Sequence, residues 1–250
     1  MPESGRQAKI RVHKLTKRFG DLTVLDEICF EIRAGELVAI VGPTGCGKTT
    51  FLNTLSKLMP ATDGQILIDG EEADPKKHNI SYVFQEPTCL PWRTVRDNVA
   101  YGMEVKRVPY RERMERTDRI MELVGLSSCA GLYPNQVSAS MIQRIAVSRA
   151  FAVEPDLLLM DEPYGQLDVK LRYYLEDELL RLWQKLQSTV LFVTHNIEEA
   201  VYIAQRILVL SPKPTKVKAE IPVDLVRPRS FLDPAFMEIR RQVTELIRWW

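Results

Sequence analysis

A short glycine-rich stretch, residues 42–50, lies between a strand-like pattern and a helix-like pattern, and this junction constrains the fold most strongly. Residues 37–41 before it form an uninterrupted apolar run, which is typical of a parallel strand covered on both faces. After it, apolar residues recur at helical spacing from Phe51 to Met59, and Pro60 ends the pattern. Backbone N–H groups and the positive end of a helix dipole converge in such a loop, so the sequence predicts an anion-binding loop in an α/β fold.

The residue types in this loop predict that its anion is a phosphate. Gly42 is followed after four residues by Gly47-Lys48-Thr49, which is the spacing of a nucleotide-phosphate loop. Lys48 would reach the β- and γ-phosphates, and the Thr49 hydroxyl would ligate Mg²⁺. The alternative is an ordinary glycine turn before a helix, but a chance match to the motif in this chain has a probability of about 1%. The predicted nucleotide site comprises Gly42, Pro43, Thr44, Gly45, Cys46, Gly47, Lys48, Thr49 and Thr50.

Composition and charge limit the class of protein. The 250 residues are 45% hydrophobic, which is enough for a substantial core in one large domain or two smaller units. Because 34 basic and 33 acidic residues nearly cancel, we expect no nucleic acid partner and no direct lipid binding. The four cysteines are scattered and predict free thiols. A polar N-terminus, and the lack of any apolar run near the ~18 residues of a membrane span, predict a cytosolic protein.

Two β-like segments predict a small antiparallel sheet beside the core. Residues 10–15 alternate apolar and polar side chains, and residues 24–32 carry a second β-like run. Phe19 lies between them in a turn-prone, charged setting, where its ring could stack on an adenine or pack over the strand edge. The Asp-Gly pair at 63–64 predicts a turn, and residues 65–70 then read as a short strand.

Two adjacent carboxylates follow another apolar run. Residues 157–160 read as a buried strand, and Asp161 and Glu162 come directly after it. Because two desolvated carboxylates repel each other, a buried strand seldom ends in two adjacent acidic residues unless they have a function. We expect Asp161 to hold Mg²⁺, directly or through water, and Glu162 to polarise the attacking water. A solvent-exposed acidic turn is the alternative.

Two further strand ends carry polar side chains. Residues 80–84 and 189–194 read as core strands, and Gln85 and His195 follow them. The carboxyl ends of parallel strands form the ligand edge of an open α/β sheet, so we expect these side chains and the two carboxylates to converge around the phosphate loop. There His195 would contact a γ-phosphate. The alternatives are a surface glutamine before a proline and a structural histidine.

The remaining patterns divide the chain into a core, an insert and a tail. From residue 91 the character becomes predominantly helical, and Asp168 is the expected cap of a long helix that reaches about Gln187. Near the C-terminus, residues 207–210 and 217–221 could pair as a hairpin. Within one domain of residues 1–250 we expect a nucleotide-binding core (1–90 and 152–222), a helical subdomain (91–151) and a C-terminal helical tail (223–250).

These motifs, in this order, resemble the ATP-binding subunits of ABC transporters over nearly the whole chain. The loop matches the Walker A motif of that family, and residues 157–161 match its Walker B motif, with Glu162 at the position of the catalytic glutamate. Four further residues match the Q-loop, the end of the D-loop, the H-loop and the adenine-stacking A-loop; they are, in that order, Gln85, Asp168, His195 and Phe19. The resemblance implies a P-loop ATPase fold of the ABC type, with a mostly parallel central sheet, a small antiparallel β-subdomain and an inserted helical subdomain.

A narrower resemblance covers four segments, 83–87, 90–92, 194–200 and 223–229. They look like the importer branch for nitrate, sulfonates, taurine and bicarbonate, which also includes proteins for the uptake of thiamine precursors. The resemblance implies a protein at the cytoplasmic face of a bacterial-type cell membrane. Its implied partners are a second ATP-binding subunit, identical or different, and an integral membrane permease, while an extracytoplasmic solute-binding protein acts indirectly.

One segment departs from the family pattern. Where the family has Leu-Ser-Gly-Gly, this chain has Val137-Ser138-Ala139-Ser140. In family members the segment opens a helix whose N-terminus meets the γ-phosphate of the ATP held by the opposite subunit, and the two glycines permit close approach. If either position requires a positive φ, the change costs on the order of 1 kcal/mol or more. Otherwise the Ser140 hydroxyl could itself donate to the phosphate.

The resemblance assigns roles to the site residues, with ATP and Mg²⁺ as the bound molecules. The expected catalytic residues are Glu162, His195, Lys48 and Gln85. The expected Mg²⁺ ligands are Thr49, Gln85 and Asp161. Outside the phosphate loop, the expected ATP contacts are Phe19, Ser138, Ala139, Ser140 and Asp168.

Three functions are compatible with these motifs. The leading hypothesis is the ATPase motor subunit of an importer for a small anion or a small organic solute. The second is a regulatory or hydrolysis-impaired subunit that pairs with a competent partner, because Ala139 and Ser140 replace glycines. The third, a soluble ABC protein of DNA repair or translation, fits poorly because such proteins usually carry fused or paired ATPase domains or long insertions.

Overall fold

The computed structural model describes residues 8–165, 167 and 169–247. The chain divides into two compact units, the first formed by Met1–His78 and Ser188–Trp250 and the second by Asn79–Gln187. The functional division into a core, a helical subdomain of residues 91–151 and a tail stays a prediction. No helix in the described ranges combines the length and the apolar character that crossing a lipid bilayer requires.

Strands and helices follow one another along the described chain. Up to residue 78 the elements are β1 (Ala8–Phe19), β2 (Leu22–Arg33), β3 (Leu37–Val41), α1 (Lys48–Leu55), β4 (Asp63–Ile68) and β5 (Glu71–Glu72). From residue 79 to 187 they are β6 (Ile80–Val83), α2 (Val95–Val105), α3 (Tyr110–Leu123), α4 (Ala139–Ala152), β7 (Leu157–Asp161) and α5 (Val169–Leu186), with short 3₁₀ turns at Ser127–Cys129 and Pro134–Gln136. The last elements are β8 (Thr189–Val193), α6 (Ile197–Ile203), β9 (Arg206–Leu210), β10 (Val217–Pro222) and α7 (Pro234–Ile247).

The predicted small antiparallel sheet is confirmed in the first unit. Its strands lie in the order β2, β1, β4 and β5, and each neighbouring pair is antiparallel. Ile10, Val12 and Leu15 of β1 are buried, and a shift in register between Val12 and Leu15 interrupts the strict alternation of the strand. This bulge puts Val12 and Leu15 on the same core face although an odd number of steps along the strand, three, leads from one to the other.

The turn predicted at residues 63–64 is wrong, because both residues belong to β4. Gly64 has φ +87°, and a Cβ added there would lie 2.2 Å from the carbonyl oxygen of Lys14. The pairing of β1 with β4 shifts register at this place, between His13 and Thr16. Gly64 therefore allows two backbones to approach closely at a bulge. An Asp-Gly pair occurs both at such bulges and in hairpin turns, so the sequence pattern alone does not distinguish them.

Parallel strands carry the phosphate loop in the first unit. β3 lies between β8 and β9 and is parallel to both, while β10 pairs antiparallel with β9 as the predicted closing hairpin. All residues of β3 and β8 are buried, as their continuous apolar runs predict. Because Ile40 lies opposite Val193, the two strands end side by side. The phosphate loop and His195 therefore leave the sheet at the same edge.

The described part of the second unit contains one parallel pair of strands, β6 and β7, and the helices α2 to α5. β6 pairs with β7, and Val83 lies opposite Met160, so Gln85 and the two carboxylates also follow neighbouring strand ends. α2 begins after Thr94, whose side chain accepts a hydrogen bond from the N–H of Asp97 as the N-cap. α2 and α4 pack closely, since a Cβ on Gly102 would lie 2.7 Å from Cγ1 of Val153, the C-cap residue of α4.

The C-terminal helix is confirmed over Pro234–Ile247. It contacts α6, β9 and β10 and buries Phe236 and Val243. The predicted continuation to Trp249 and Trp250 lies outside the described residues.

Replacing Gly64 by alanine should lower the free energy of unfolding by more than about 2 kcal/mol, because the new Cβ meets backbone in addition to the strain of positive φ. Gly70→Ala is the matched control, since Gly70 has φ +82° but a Cβ added there would meet no atom of the described residues within 4 Å. That variant should lose only about 1 kcal/mol. Urea denaturation of both variants measures the difference, and equal losses would contradict the bulge argument.

Candidate nucleotide-binding site

The phosphate loop has a backbone that only glycine fits at two of its positions. A Cβ on Gly42 would lie 3.0 Å from Sγ of Cys46 and 3.0 Å from Cβ of Leu210. Gly47 has φ +113°, and its Cβ would lie 2.8 Å from Cγ1 of Val24. Because Gly47 is also the N-cap of α1, no side chain of its own covers the first N–H groups of that helix. The loop therefore fits an anion that approaches the backbone.

Lys48 lies inside this loop rather than in solvent. Its side chain is buried, and Nζ donates to the carbonyl oxygens of Gly42, at 3.0 Å, and Pro43, at 3.3 Å. Thr49, the next residue, is exposed at the start of α1. The loop thus combines a fixed ammonium group with an accessible hydroxyl, which is the combination that a Mg²⁺-bound triphosphate requires.

Cys46 is enclosed by the loop. Burial raises the pKa of its thiol, although the nearby Lys48 ammonium acts in the opposite direction. The Cys46 carbonyl accepts a hydrogen bond from the Thr215 hydroxyl, which ties the loop to the segment before β10. Cys46 is therefore a protonated, packed side chain at neutral pH, and the prediction that the four cysteines are free thiols is confirmed.

Phe19 ends β1 with its ring exposed. It is 46% exposed, and the Lys17 ammonium lies 5.0 Å from the ring centroid. The sequence left open both an adenine contact and packing over the strand edge. The exposed ring has room for a stacked base.

His195 is exposed in the short connection between β8, which ends at Val193, and α6, which begins at Ile197. Asn196 caps α6, because its Oδ1 accepts from the N–H groups of Glu198, at 3.0 Å, and Glu199, at 3.3 Å. The Thr194 hydroxyl bonds to the buried Glu199 carboxylate and accepts from the Asn196 N–H at 3.0 Å. The backbone on both sides of His195 is therefore held by side chains, and Asn196 performs the capping that an aspartate there would perform.

Gln85 and the two carboxylates come together in the second unit, as expected from the strand ends. Nε2 of Gln85 donates to Oε2 of Glu162 at 3.4 Å. Asp161 is buried, and Glu162, which is half-buried, has φ +45°. A non-glycine residue in this conformation is strained by about 1–3 kcal/mol, and such strain is often found at functional sites.

Tyr82 is a neighbour of Asp161 that sequence reasoning missed. Its hydroxyl donates to Oδ2 of Asp161 at 3.4 Å, and its ring stacks on Phe84 with 4.4 Å between the centroids. Burial, and then the charge of Asp161, raise the pKa of Tyr82, so its hydroxyl stays protonated and acts as a donor. The roles of Thr194 and Glu199 in holding the backbone around His195 were also missed. Asn196 and Glu199 have the spacing of a capping box, which could have indicated the helix start at this place.

The segment that departs from the family pattern forms the start of α4. Ser138 is the N-cap with φ −71°, and its Oγ accepts from the N–H of Met141 at 3.3 Å. Ala139 and Ser140 are the first two helical residues, and neither has a positive φ. The backbone strain that a positive φ would bring therefore does not arise. Oγ of Ser140 lies 2.8 Å from Oγ of Ser138, so the two hydroxyls share a hydrogen bond.

The expected ATP contact at Asp168 lies outside the described residues. α5 begins directly after it, at Val169.

Comparison with known proteins places the chain in a family. Residues 25–165 match the family model described as ABC transporter. The chain belongs to the ABC transporter family. An uncharacterised ABC transporter ATP-binding protein of Methanocaldococcus jannaschii is 39% identical over 97% of this chain and 92% of its own length. A taurine import ATP-binding protein of Rhizobium johnstonii is 38% identical over 89% of this chain and 88% of its own length.

A solved structure confirms the fold. A dimeric ATP-binding cassette, in a post-hydrolysis state with ADP and Pi bound, matches with a TM-score of 0.75 at 29% identity, covering 87% of this chain and 100% of the other. The predicted ABC ATPase fold is therefore confirmed, and the chain is an ATP-binding subunit. Its residues 137–140, which depart from the family pattern Leu-Ser-Gly-Gly, are here called the signature segment.

Asn196→Ala should lower the free energy of unfolding by about 1 kcal/mol, because two N–H groups of α6 lose their acceptor. Asn196→Asp keeps an oxygen at the same place and adds a negative charge at the helix N-terminus, so its stability should change by less than about 0.5 kcal/mol. Chemical denaturation of both variants checks this pair. A large loss in the aspartate variant would show that Asn196 does more than cap the helix.

Proposed function

We propose that the chain is the ATP-binding and hydrolysing motor subunit of an ABC importer for a small anion or a small organic solute. One observation carries most of the proposal: the Lys48 ammonium is buried within a loop in which Gly42 and Gly47 leave no room for a side chain. Such a loop provides backbone N–H groups and one fixed positive charge for a polyphosphate. The taurine importer relative supports the class of solute, since taurine is a small sulfonate.

The residues present fit Mg²⁺ as well as ATP. Thr49 is an exposed hydroxyl, Asp161 is a carboxylate at a strand end, and Gln85 carries an amide oxygen. These are the oxygen ligands that Mg²⁺ takes, together with water and phosphate oxygens. When bound, Mg²⁺ would neutralise negative charge on the β- and γ-phosphates. Tyr82 would hold one oxygen of Asp161 in place by its hydrogen bond.

Hydrolysis depends on the orientation of a water molecule. In the proposed reaction Glu162 accepts a hydrogen bond from the attacking water, and the Gln85 amide, which donates to Glu162, orients its carboxylate. Lys48 and His195 hold the γ-phosphate, and Phe19 stacks on the adenine. The oxygen of water adds to phosphorus, the proton that it loses passes to the Glu162 carboxylate, and the bond from phosphorus to the β-phosphate oxygen breaks, which yields ADP and inorganic phosphate.

A second ATP-binding subunit, identical or different, would complete each ATP site. The solved cassette that resembles this chain is a dimer, which supports this arrangement. In the proposed dimer Ser138, Ala139 and Ser140 approach the ATP held by the partner, and Asp168 contributes from the end of the D-loop. The start of α4 suits this role because its N–H groups point toward an approaching anion.

Coupling to transport would use the helical subdomain, residues 91–151. We propose that it contacts an integral membrane permease at the cytoplasmic face of the cell membrane, with Gln85 near its border. An extracytoplasmic solute-binding protein would act through the permease and make no direct contact with this chain.

Glu162→Gln should lower the ATPase turnover number of the chain with its permease by about 10²- to 10⁴-fold, because the amide cannot accept the proton of the attacking water. ATP binding should be kept, since the phosphate loop is unchanged. Glu71→Gln is the control, because Glu71 is an exposed carboxylate in β5 without an assigned role. Full turnover in the Glu162 variant would refute the assigned base.

A regulatory or hydrolysis-impaired subunit is the second candidate, and one observation favours it. Ala139 and Ser140 place two Cβ atoms where the family has none, at the exposed start of α4. Such a subunit would still bind ATP and would pair with a partner whose signature segment contains both glycines.

Restoring both glycines distinguishes the two candidates. Because neither residue needs positive φ, we expect the Ala139→Gly/Ser140→Gly variant to change the ATPase rate by less than about 3-fold, a difference near 0.6 kcal/mol in barrier height. A gain of tenfold or more would support the hydrolysis-impaired subunit. Denaturation of the same variant checks that two glycines at the helix start cost no more than about 2 kcal/mol of stability.

A further inference from the structure

Helix α6, which begins two residues after His195, is held at both ends by residues 223–247, the described part of the C-terminal tail. The helix has only seven residues, Ile197–Ile203. A helix this short has little stability of its own, so its position depends on the groups that bind its ends.

At the C-terminal end of α6, two arginines of the tail bind the last carbonyl groups. The Arg227 guanidinium donates to the carbonyl oxygens of Tyr202 and Ile203. Arg229, which is buried, donates to those of Val201, Tyr202 and Ala204. These are carbonyls that a helix leaves without partners, and positive charge is favourable at that end of the helix dipole.

Near the C-terminal end of α6, three aromatic rings connect this helix to α7. Tyr202 of α6 stacks on Phe231 with 5.0 Å between the ring centroids. Phe231 meets the edge of Phe236 in α7 at 5.1 Å. A continuous series of ring contacts therefore joins α6 to α7.

At the N-terminal end, α7 reaches the first turn of α6. NH1 of Arg240 forms an ion pair with Oε1 of Glu198 at 2.5 Å. These two side chains line an open surface depression of about 540 Å³, together with His195, Asn196, Ile197 and Thr244. The N–H of Glu198 is also one of the two groups that bind the Asn196 side chain. Arg240 thus acts on the turn that fixes the backbone next to His195.

We propose that Arg240 is a positioning residue for His195. Its ion pair with Glu198 holds the first turn of α6, and the turn holds Asn196 and the backbone of His195. The inference rests on the proposed contact between His195 and the γ-phosphate, and it adds that the tail controls how well His195 is aligned for that contact. The nucleotide itself does not touch Arg240 in this scheme.

The ion pair between Arg240 and Glu198 is suited to aligning His195 rather than to stabilising the folded chain. The Arg240 and Glu198 side chains are 45% and 42% exposed, and pairs this exposed contribute little to folding stability. The Arg229 contacts and the aromatic rings remain when the pair is lost, so the fold should persist. What changes is the freedom of the first turn of α6.

The test compares Arg240→Ala with Arg241→Ala in the full-length chain. Arg241 is the matched control because it carries the same charge on the same helix, while its partners Glu238 and Glu245 also lie on α7. Arg240→Ala should lower the ATPase kcat by about 5-fold or more, through misalignment, and change the KM for ATP by less than about 2-fold. Arg241→Ala should leave both constants unchanged. The Tm of each variant should stay within about 2 °C of the parent chain.

A spectroscopic readout tests position independently of turnover. The chain has three histidines, so the imidazole signals of His195, His13 and His78 can be separated by NMR and assigned with a His195→Gln variant. Arg240→Ala should move the His195 signal and leave the other two in place. Arg241→Ala should move none of them.

The exchanged pair Glu198→Arg/Arg240→Glu provides the rescue. If the ion pair is the cause, the double variant should recover the His195 signal and at least half of the lost kcat, while each single variant should not. An unchanged kcat and an unchanged His195 signal in Arg240→Ala would overturn the inference. If His195→Gln itself keeps full turnover, the proposed role of His195 fails, whereas a shifted His195 signal in Arg240→Ala would still support the positional coupling.

Discussion

The parallel pairing of β3 with β8 determines where the chemical groups of the first unit lie. Each strand is buried throughout, and Ile40 lies opposite Val193, so the segments that follow the two strands leave the sheet at one edge. A shift of one residue in this register would turn the side chains of a strand to the other face. This pairing places the phosphate loop and His195 at the same edge of the sheet. In the second unit, β6 and β7 do the same for Gln85 and Asp161.

Backbone conformation, more than side-chain chemistry, shapes the groups at these strand ends. Gly47 adopts φ +113°, a conformation that glycine reaches without strain. Glu162 adopts φ +45°, a conformation that is strained for a residue with a side chain. Glu162 follows β7, which is completely buried, and strained conformations persist where the surrounding structure is tightly packed. In contrast, Ala139 and Ser140 have ordinary helical geometry, so their altered side chains do not disturb the backbone of α4.

Much of the fold could be predicted from local patterns. The bounds of β3 agree with the apolar run at 37–41, and β8 and the β9–β10 hairpin also lie where the sequence indicates. The turn at 63–64 was wrong because the conformation of Gly64 is set by Lys14, a residue fifty positions away. Tyr82 was missed for a similar reason, since only the pairing of β6 with β7 brings its hydroxyl to Asp161. Short-range patterns carry no information on such contacts.

The sequence by itself determined the family, the phosphate loop and the candidate catalytic residues, because these depend on residue types at short, regular spacings along one segment. Tertiary structure decided how those residues are held. Lys48 turns back onto the carbonyls of its own loop, Asn196 binds the first turn of α6, and Arg240 pairs with Glu198 across 42 residues. Such contacts depend on how helices and strands pack against one another, and packing is a property of the whole unit rather than of any one segment.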